Sequence, residues 1–598
     1  GHLRAYDVTQ MAMLNTSYSE LRTITRSDLT STTGREIVAS GVTIRWDAGE
    51  LLQNRSPADR LIYTAIPDTN GDLARIDFTA ANVNQLASLL NDQQNDNVGL
   101  INFIRGEGRY WKLGDINHSN PIVVGPPSGT VSQMGEGYDQ FLIDYSDRRQ
   151  VLYVGANDGM LHCFDVLTGE ELWAFIPYNL LPKLRNMRAV DNATGARYFN
   201  RDIYVDGTPT SADVYIDADG DGNKEWRTIL ICGQGAGYGS SVAGGLNYYF
   251  ALDITDPENP QPLWEFTYER LGETWSVPAI GKVIKNGEAT WVAFVGSGYD
   301  NNSERRTGNR FYAIDLETGE EFWLFDADEV DTSRQLGWDI ENTIPCSPST
   351  VDIDQDGFVD RVYVGDLDGR LWKIDVSNEF QRSRDWEAEA IYEDNHNYPI
   401  ISQPAVWIDA TAETPIPRIY FGTGGDDRAP DDVTYSFIAL MDGARPEVEW
   451  FIGDHQELNL SAALDKGDLG VGEKVWADPK IADYIVYFST LTGSIESVDP
   501  CESLVGIGKL YARFIVAKAG NPIGSTAFRT ATGPAEALNL EIKTRSAVTI
   551  GESERVQGQT RKREVYIQEY NSTLQRLEQS IGALLRIKSW REIFKIIR

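Results

Sequence analysis

The sequence predicts a mainly β fold, namely a modified β-propeller of seven blades with helical insertions and a C-terminal extension. Three observations predict it: a strand-and-turn phrase that recurs along the chain, a composition rich in aromatic residues and glycine, and two acidic loops between strands. The 598 residues include 15 Trp, 27 Tyr, 21 Phe and 54 Gly, as expected of aromatic strands separated by glycine turns. A hydrophobic content of 41% supplies a large core and argues against disorder over most of the chain.

The recurring phrase consists of a glycine or asparagine turn, a strand that ends in Asp, often a Thr-Gly turn, and then a Trp. Two strands joined by a tight turn, with a Trp that packs between neighbouring units, are typical of a propeller blade. Seven copies favour seven blades closed by strands from both chain ends, while six and eight blades remain open. The copies are residues 1–7 with Trp46, 158–165 with Trp173, 247–253 with Trp264, 309–315 with Trp323, 368–375 with Trp386, 435–442 with Trp450, and 508–512.

The phrases divide the chain into three predicted segments. Residues 1–115 hold the first propeller strands and a short helical insertion, because apolar residues between Thr79 and Arg105 follow helical spacing. Residues 116–500 hold the propeller with both acidic loops. Residues 501–598 add the last propeller strand and a basic extension, in which 565–578 predict a hairpin and 582–597 fit either an amphipathic helix or an edge strand.

Charge and hydropathy exclude some classes of function. The net charge of -35 argues against nucleic-acid binding, because the protein and the phosphate backbone would repel each other. Residues 501–598 nevertheless contain 16 Lys+Arg against 9 Asp+Glu, which predicts docking either onto the acidic body or onto a separate partner. No run of about 18 apolar residues predicts a transmembrane helix. The chain begins at Gly1 without Met or a signal peptide, as expected of a processed protein or a fragment.

Residues 217–225 and 352–360 share the pattern D-x-D-x-D-G-x-x-[DE]. Carboxylates at positions 1, 3, 5 and 9, a turn-forming glycine at 6 and a main-chain carbonyl at 7 make an oxygen-only ligand set that suits Ca²⁺. With 89 Asp+Glu and 54 Gly in the chain, one chance match is expected only about 0.03 times. The predicted ligands are Asp217, Asp219, Asp221, Asn223 and Glu225 in the first loop, and Asp352, Asp354, Asp356, Phe358 and Asp360 in the second.

The two acidic loops differ from an EF-hand. An EF-hand needs a bidentate Glu at position 12 and flanking helices, but position 12 holds Thr228 in the first loop and Tyr363 in the second. The flanking segments 211–216, 226–232 and 361–365 are rich in β-branched and aromatic residues, which predicts strands. Each loop is therefore predicted to be a strand connection closed by calcium, acting as a clamp or a switch and not as a catalytic centre.

Other chemistry-bearing residues show no catalytic or cofactor pattern. Cys163, Cys232, Cys346 and Cys501 form no C-x-x-C pair, so zinc and c-type haem are unsupported, while disulfides and buried thiols both remain open. The five histidines are predicted to be structural. The glycine-rich residues 233–239 lack the Gly-Lys-[Ser/Thr] of a phosphate loop and predict a turn. We therefore assign no catalytic or cofactor-binding residue and predict that the chain is not an enzyme.

Five longer phrases are specific enough to compare with a known family. They begin at Trp46 (WDAGE), Leu113 (LGDINHSNP), Val151 (VLYVGANDGMLH), Trp173 (WAFIP) and Tyr249 (YFALDITDP). Together they resemble the PilY family, large secreted proteins associated with the tips of bacterial type IV pili. The resemblance covers nearly the whole chain and implies a modified propeller with a calcium loop that matches residues 352–360.

The resemblance also implies a function. Family members act in pilus assembly, in the control of extension and retraction during twitching motility, and in adhesion to host or abiotic surfaces through contact with minor pilins. The expected location is extracellular, at the pilus tip or outer cell surface. The chain departs from the family in lacking a von Willebrand A-like region, an Asp-x-Ser-x-Ser motif and an Arg-Gly-Asp; Arg105-Gly-Glu107 is a near miss. Calcium response and contact with minor pilins are therefore expected of the propeller and tail, and residues 217–225 add a second candidate loop.

Two alternative classes share parts of this pattern. Quinoprotein dehydrogenases, which use the quinone PQQ, also carry Thr-Gly turns followed by Trp and use calcium, but their calcium contacts the quinone in the central channel and is not held by a contiguous acidic loop. They commonly also have a disulfide of adjacent cysteines, and no two cysteines here are adjacent. An adhesin unrelated to pili would carry such loops in several successive blades, whereas the two loops here are 135 residues apart.

Overall fold

Strands dominate the protein, as the sequence predicts. The computed structural model describes residues 1–7, 29–31, 37–39, 43–90, 92, 95–190, 197–199, 202–237, 246–268, 270–299, 307–326, 343–377, 386–409, 415–426, 429–453, 464–465, 469–482, 485–492, 507–515, 538–542, 546–557, 560–569 and 574–582. These residues divide into two compact units, Gly1–Asp7 with Ile44–Pro404 and Val8–Thr43 with Ala405–Arg598. No helix within the described residues is long and apolar enough to cross a membrane.

In the first unit, successive antiparallel sheets follow the chain order, as in propeller blades. One sheet contains Ile122–Val124, Val151–Ala156, Met160–Asp165 and Glu171–Ile176, extended by Ile62–Pro67 and Leu73–Asp77. Three four-stranded sheets contain Thr210–Ile216, Glu225–Gly233, Tyr249–Asp253 and Gln261–Phe266; Ala279–Lys285, Glu288–Gly296, Arg310–Asp315 and Glu321–Asp326; and Ser349–Val351, Arg361–Gly365, Arg370–Asp375 and Glu387–Glu393. Short pairs join Arg4–Asp7 with Thr43–Asp47 and Arg188–Val190 with Arg197–Phe199.

The second unit continues the same kind of sheet. Its sheets contain Ala405–Asp409, Ile416–Gly422, Ser436–Asp442, Pro446–Gly453 and Leu464–Asp465; and Glu473–Val475, Lys480–Ala482, Ile485–Thr492, Ile507–Phe514 and Leu538–Ile542. A three-stranded sheet holds Ser546–Gln557, Thr560–Glu569 and Leu574–Gly582, and Leu29–Ser31 pairs with Ile37–Ala39. The last two strands of the three-stranded sheet form the predicted hairpin; its turn, residues 570–573, and residues 583–598 lie outside the described residues. The number of blades stays a prediction.

The recurring Trp packs between neighbouring sheets, as predicted. In four copies its indole N–H donates to a main-chain carbonyl that follows the third long strand of the next sheet. The glycine of the Thr-Gly turn lies beneath the ring, because a Cβ at Gly169 or Gly319 would stand 2.5 Å or 2.3 Å from a ring atom of the Trp above it. The four bonds run from Trp46 to Val166 (3.0 Å), Trp173 to Pro257 (2.8 Å), Trp264 to Leu316 (3.0 Å) and Trp450 to Ile515 (3.1 Å).

A second periodic contact was not predicted from the sequence. The second strand of successive sheets has a glycine at its last or next-to-last position, and the chain that leads into the next sheet packs against this glycine. A Cβ on four of these glycines would lie 2.3–2.5 Å from a carbonyl oxygen of that chain, and on the fifth it would lie 2.3 Å from the Cβ of Val475. Only glycine allows this approach without displacing the backbone. The five glycines are Gly155, Gly233, Gly296, Gly365 and Gly422.

Helices occupy the insertion between the first two copies of the phrase. Val83–Leu90 and Asn97–Arg105 are the two helices expected between Thr79 and Arg105. The structure adds Ala48–Asn54, Val131–Met134, Tyr138–Asp144 and the 3-10 helices Pro57–Asp59, Ala80–Asn82 and Tyr178–Met187, which the sequence analysis did not predict. The insertion extends the sheet that contains Val151–Ala156 and Met160–Asp165, because Ile62–Pro67 pairs in parallel with Glu171–Ile176.

A buried ionic cluster ties the insertion to that sheet. The guanidinium of Arg60 donates to both carboxylate oxygens of Glu171 (2.9 and 2.8 Å), and His162 lies between Glu171 Oε1 (2.9 Å) and Asp158 Oδ1 (3.1 Å). All four side chains are fully buried. Burial alone would lower the pKa of His162, but the carboxylates of Asp158 and Glu171 outweigh it and raise the pKa to about 9. The ring is therefore a cation that donates to both carboxylates.

Three of the four cysteines lie in the cores of the sheets. Cys163 and Cys232 are buried free thiols, and Cys346 is also buried. A buried thiol is the second of the two states that the sequence left open. Burial raises the pKa of the Cys232 thiol, as expected of an inert thiol in a core. Cys501 lies outside the described residues, so no disulfide involving it is assigned.

Candidate metal centre

The loop at residues 352–360 connects two adjacent strands of one sheet, Ser349–Val351 and Arg361–Gly365. The carboxylates of Asp352, Asp354 and Asp356 each place an oxygen within 4.8 Å of the others. Asp356 and Gly357 donate their main-chain N–H groups to the two oxygens of Asp352, at 3.2 and 2.8 Å. The loop therefore brings the carboxylates at positions 1, 3 and 5 close together, and their role as calcium ligands stays a prediction.

The loop at residues 217–225 has the same local construction. It connects Thr210–Ile216 with Glu225–Gly233, and the carboxylates of Asp217, Asp219 and Asp221 lie within 4.8 Å of one another. Asp221 N and Gly222 N donate to the two oxygens of Asp217 at 3.1 and 2.8 Å. The repeated motif thus produces the same hydrogen-bonded turn twice.

Left-handed backbone at positions 4 and 6 makes this turn possible. The φ angles are +72° at Gly220 and +89° at Gly222 in the first loop, and +64° at Gln355 and +92° at Gly357 in the second. Position 6 is glycine in both loops, as the motif requires, whereas a side chain at position 4 of the second loop adopts a conformation that L residues rarely take. The second loop therefore stores backbone strain that the first avoids.

The remaining predicted ligands behave differently in the two loops. Asp360, at position 9 of the second loop, is buried and accepts the N–H of Ile353 at 2.7 Å. Glu225, at the same position of the first loop, is exposed and forms an ion pair with Arg227. At position 7, Asn223 and Phe358 donate their main-chain N–H groups at 2.8 Å to the carboxylates at position 5.

Two cations near the loops were not predicted from the sequence. The ammonium group of Lys282 stands 4.3 Å from the centre of the Phe358 ring, and the guanidinium of Arg227 lies 3.6 Å from Asp219. Arg227 is two residues beyond its loop and could have been noticed, whereas Lys282 is 70 residues before Asp352 and carries no local signal. Both residues place positive charge beside a candidate metal site.

The donor set fits a calcium ion. Every group in both loops offers oxygen, which a hard cation prefers. In the second loop, burial and the neighbouring carboxylates of Asp356 and Asp354 raise the pKa of Asp352, and burial with the charges of Asp354 and Asp352 raises the pKa of Asp360. The pKa of a carboxyl group rises when other negative charges lie close to it, and a bound cation would neutralise these charges. The loop at 352–360 is therefore the stronger of the two candidates.

Comparisons with known proteins place both loops in one domain. Residues 113–393 match the PilY1 beta-propeller domain. The chain is 34% identical over 360 residues to the type IV pilus biogenesis factor PilY1 of Pseudomonas aeruginosa strain UCBPP-PA14, covering 56% of this chain and 28% of that protein. It is 32% identical over 371 residues to a PilY1 homolog of Xylella fastidiosa, covering 58% and 26%. The chain thus spans less than a third of the length of these relatives.

A solved structure supports the fold. The crystal structure of the Pseudomonas aeruginosa PilY1 C-terminal domain aligns with a TM-score of 0.50 at 21% identity, covering 77% of this chain and 99% of that one. At this identity the likeness bears on the fold alone, and it agrees with the series of antiparallel sheets described above.

Proposed function

Because residues 113–393 match the PilY1 beta-propeller domain, we propose that the chain belongs to the PilY family and is a calcium-binding type IV pilus biogenesis factor. The observation that carries this proposal is the position of both acidic loops inside the matched domain. The curated relatives are named as biogenesis factors and not as enzymes, in keeping with a binding role. Its place of action would be the pilus tip or the outer cell surface.

Calcium would act by stabilising the loop that connects two strands. Three carboxylates held within 4.8 Å of one another repel in the absence of a cation, and a bound ion would turn this repulsion into attraction at the end of a sheet. Loops of extracellular proteins bind calcium with Kd values on the order of 10⁻⁴ to 10⁻³ M. Occupancy of residues 352–360 would therefore follow the calcium concentration around the cell and could regulate pilus extension and retraction.

The basic C-terminal segment is the proposed docking region for minor pilins. Its first strand, Ile507–Phe514, belongs to a propeller sheet, and Lys509 and Tyr511 bond the buried carboxylate of Glu473 at 2.7 and 2.6 Å. Removing this strand would take the Lys509 cation away from Glu473, which would keep only the hydrogen bonds from Gly470 and Thr490, and would damage the sheet. The part that can carry docking without supporting the fold is thus the three-stranded sheet from Ser546 onward, in which Arg561, Lys562 and Arg563 stand in sequence on Thr560–Glu569.

Two measurements test this function. In the native strain, deletion of the gene should abolish surface pili, and the wild-type gene should restore them, as counted by electron microscopy. In purified protein, Asp354→Ala should lower the calcium stoichiometry by one in isothermal titration calorimetry, with Asp409→Ala, on a strand of the second unit and in neither loop, as the matched control. Normal piliation of the deletion strain would refute the pilus role, and an unchanged stoichiometry would refute the calcium site.

A truncated chain that ends at residue 545 tests the docking region separately. It keeps every strand of the propeller sheets, including Ile507–Phe514 and Leu538–Ile542, and removes the basic sheet. We expect it to bind calcium normally and to lose binding to minor pilins in a pull-down. Unimpaired pilin binding would move the docking region elsewhere.

A further inference from the structure

Both the main chain and the side chain of Lys282 contact the loop at residues 352–360. Lys282 belongs to Ala279–Lys285, a strand of the preceding sheet, and is 8% exposed. Its main-chain carbonyl accepts the N–H of Val359 at 2.9 Å. Its ammonium group lies 4.3 Å from the centre of the Phe358 ring, which is within the range of a cation–π interaction.

The ammonium group is anchored and cannot withdraw from the loop. It donates to the carbonyls of Gln133 at 2.8 Å and Met134 at 3.3 Å in the helix Val131–Met134. The same helix closes on the loop, because a Cβ at Gly357 would lie 2.1 Å from the oxygen of Gln133. The helix, the lysine and the turn of the loop therefore form one packed unit.

The charge of Lys282 acts on the carboxylates of the loop. Its ammonium group bonds the neutral main-chain carbonyls of Gln133 and Met134, and Asp356 and Asp352 are the two acids whose charges act on it most. These two acids occupy positions 5 and 1 of the candidate calcium loop. A fixed positive charge therefore lies next to the candidate calcium loop.

We propose that Lys282 sets the calcium affinity of the 352–360 loop by acting as its built-in counter-cation, an inference that rests on the proposed calcium site. Without calcium the ammonium group partly neutralises Asp352 and Asp356, which stabilises the empty loop. With calcium bound, the anchored ammonium group repels the ion. Because the ammonium group is anchored, it attracts the carboxylates both with and without calcium, so its repulsion of the ion is what weakens binding. A unit charge near a divalent ion changes the affinity roughly tenfold.

The first loop lacks such an arrangement and serves as an internal reference. Its cation, Arg227, bonds Glu225 and approaches Asp219 at 3.6 Å from a partly exposed position. An exposed ion pair can rearrange at small cost when another cation arrives. Lys282 should therefore influence the 352–360 loop and leave the 217–225 loop unchanged.

The test measures calcium binding by isothermal titration calorimetry on the full chain. An Asp219→Ala background silences the first loop, so that the remaining site is the second. On this background Lys282→Met should bind calcium roughly tenfold more tightly, whereas Lys282→Arg, which keeps the charge, should match the parent. Lys373→Met is the matched control, because Lys373 pairs with Glu389 on a neighbouring strand of the same sheet.

The outcomes separate this inference from the proposed function. If the parent binds calcium and Lys282→Met binds it equally or less tightly, the role of Lys282 is refuted while the calcium site stands. If the parent binds no calcium, both fail. Should Lys282→Met not fold, Lys282→Gln keeps a hydrogen-bond donor toward Gln133 and must show the same tightening. A larger calcium-induced rise in Tm in the neutral variant than in the parent is the second expected readout, which a purely structural lysine would not produce.

Discussion

The buried His162 cation predicts a defined loss of stability at alkaline pH. Its ring lies between Asp158 and Glu171 at 3.1 and 2.9 Å, and these carboxylates raise its pKa to about 9 from an ordinary value of 6.5. The stability that the charged ring contributes is fully present below pH 6.5 and is lost as the pH rises through 9. The rise in pKa corresponds to about 3 kcal/mol, and no discount for solvent applies because the ring is fully buried.

The substitution that exposes this effect is His162→Gln. Its amide does not titrate and leaves Asp158 and Glu171 with less compensating charge, so the variant should be less stable than the wild type at pH 6. Above pH 9.5 the wild-type ring is neutral and donates to only one carboxylate, so the wild type loses the same advantage. The difference between the two proteins should therefore shrink by about 3 kcal/mol from pH 6 to pH 9.5.

Differential scanning calorimetry between pH 6 and pH 9.5 measures this difference. The first compact unit comprises Gly1–Asp7 and Ile44–Pro404, and for a cooperative unit of roughly 370 residues 3 kcal/mol corresponds to a Tm change of about 4 °C. His396→Gln, at an exposed position, controls for general effects of pH. A Tm difference between wild type and His162→Gln that stays constant across this pH range would refute the assignment of a buried imidazolium.

Three further predictions concern packing and the metal ligands. Gly296→Ala places a Cβ 2.3 Å from the oxygen of Ile344 and should cost about 1–3 kcal/mol of unfolding free energy, whereas Gly443→Ala, with no atom nearer than 3.9 Å, should be neutral in the same urea titration. Trp264→Phe removes the indole donor to Leu316 and should lower stability by about 1–2 kcal/mol; an unchanged urea midpoint would contradict the role of this bond. Asp360→Asn should weaken calcium binding at its loop more than Glu225→Gln does at the other, because Arg227 already holds Glu225. Equal losses by calorimetry would count against the different placement of position 9.

The parts of the structure that the sequence predicted are those set by neighbouring residues. The side-chain hydrogen bonds that shape the turn at residues 352–360 span at most seven positions, such as Ile353 N to Asp360, so the nine-residue motif is enough to predict the turn. The Trp contacts were predictable for a related reason. Trp264 and its partner Leu316 are 52 positions apart. The partner turn nevertheless has the same sequence in successive repeats, so the repeat itself predicts the contact.

What the sequence did not predict depends on contacts between segments far apart in the chain. Lys282 carries no signal of its own, since its partners Gln133 and Met134 are about 150 positions away. In the ionic cluster, some partners are close in sequence and others are distant. Asp158 stands four residues before His162 and could have been noticed, but Arg60 and Glu171 are 111 positions apart. The charge on the His162 ring depends on all of these residues together, and no one of them predicts it alone.

The two acidic loops show how one local motif acquires two behaviours. Their turns share the same hydrogen bonds, so the intrinsic preference for a hard cation is the same in both. Glycine residues 220 and 222 have no atoms within 4 Å of an added Cβ, whereas Gly357 lies against the oxygen of Gln133. The first loop can therefore change its conformation without displacing other residues. A conformational change in the second loop would have to displace the helix Val131–Met134. Packing, and not the ligand pattern, makes residues 352–360 the loop through which a bound calcium ion would affect the rest of its unit.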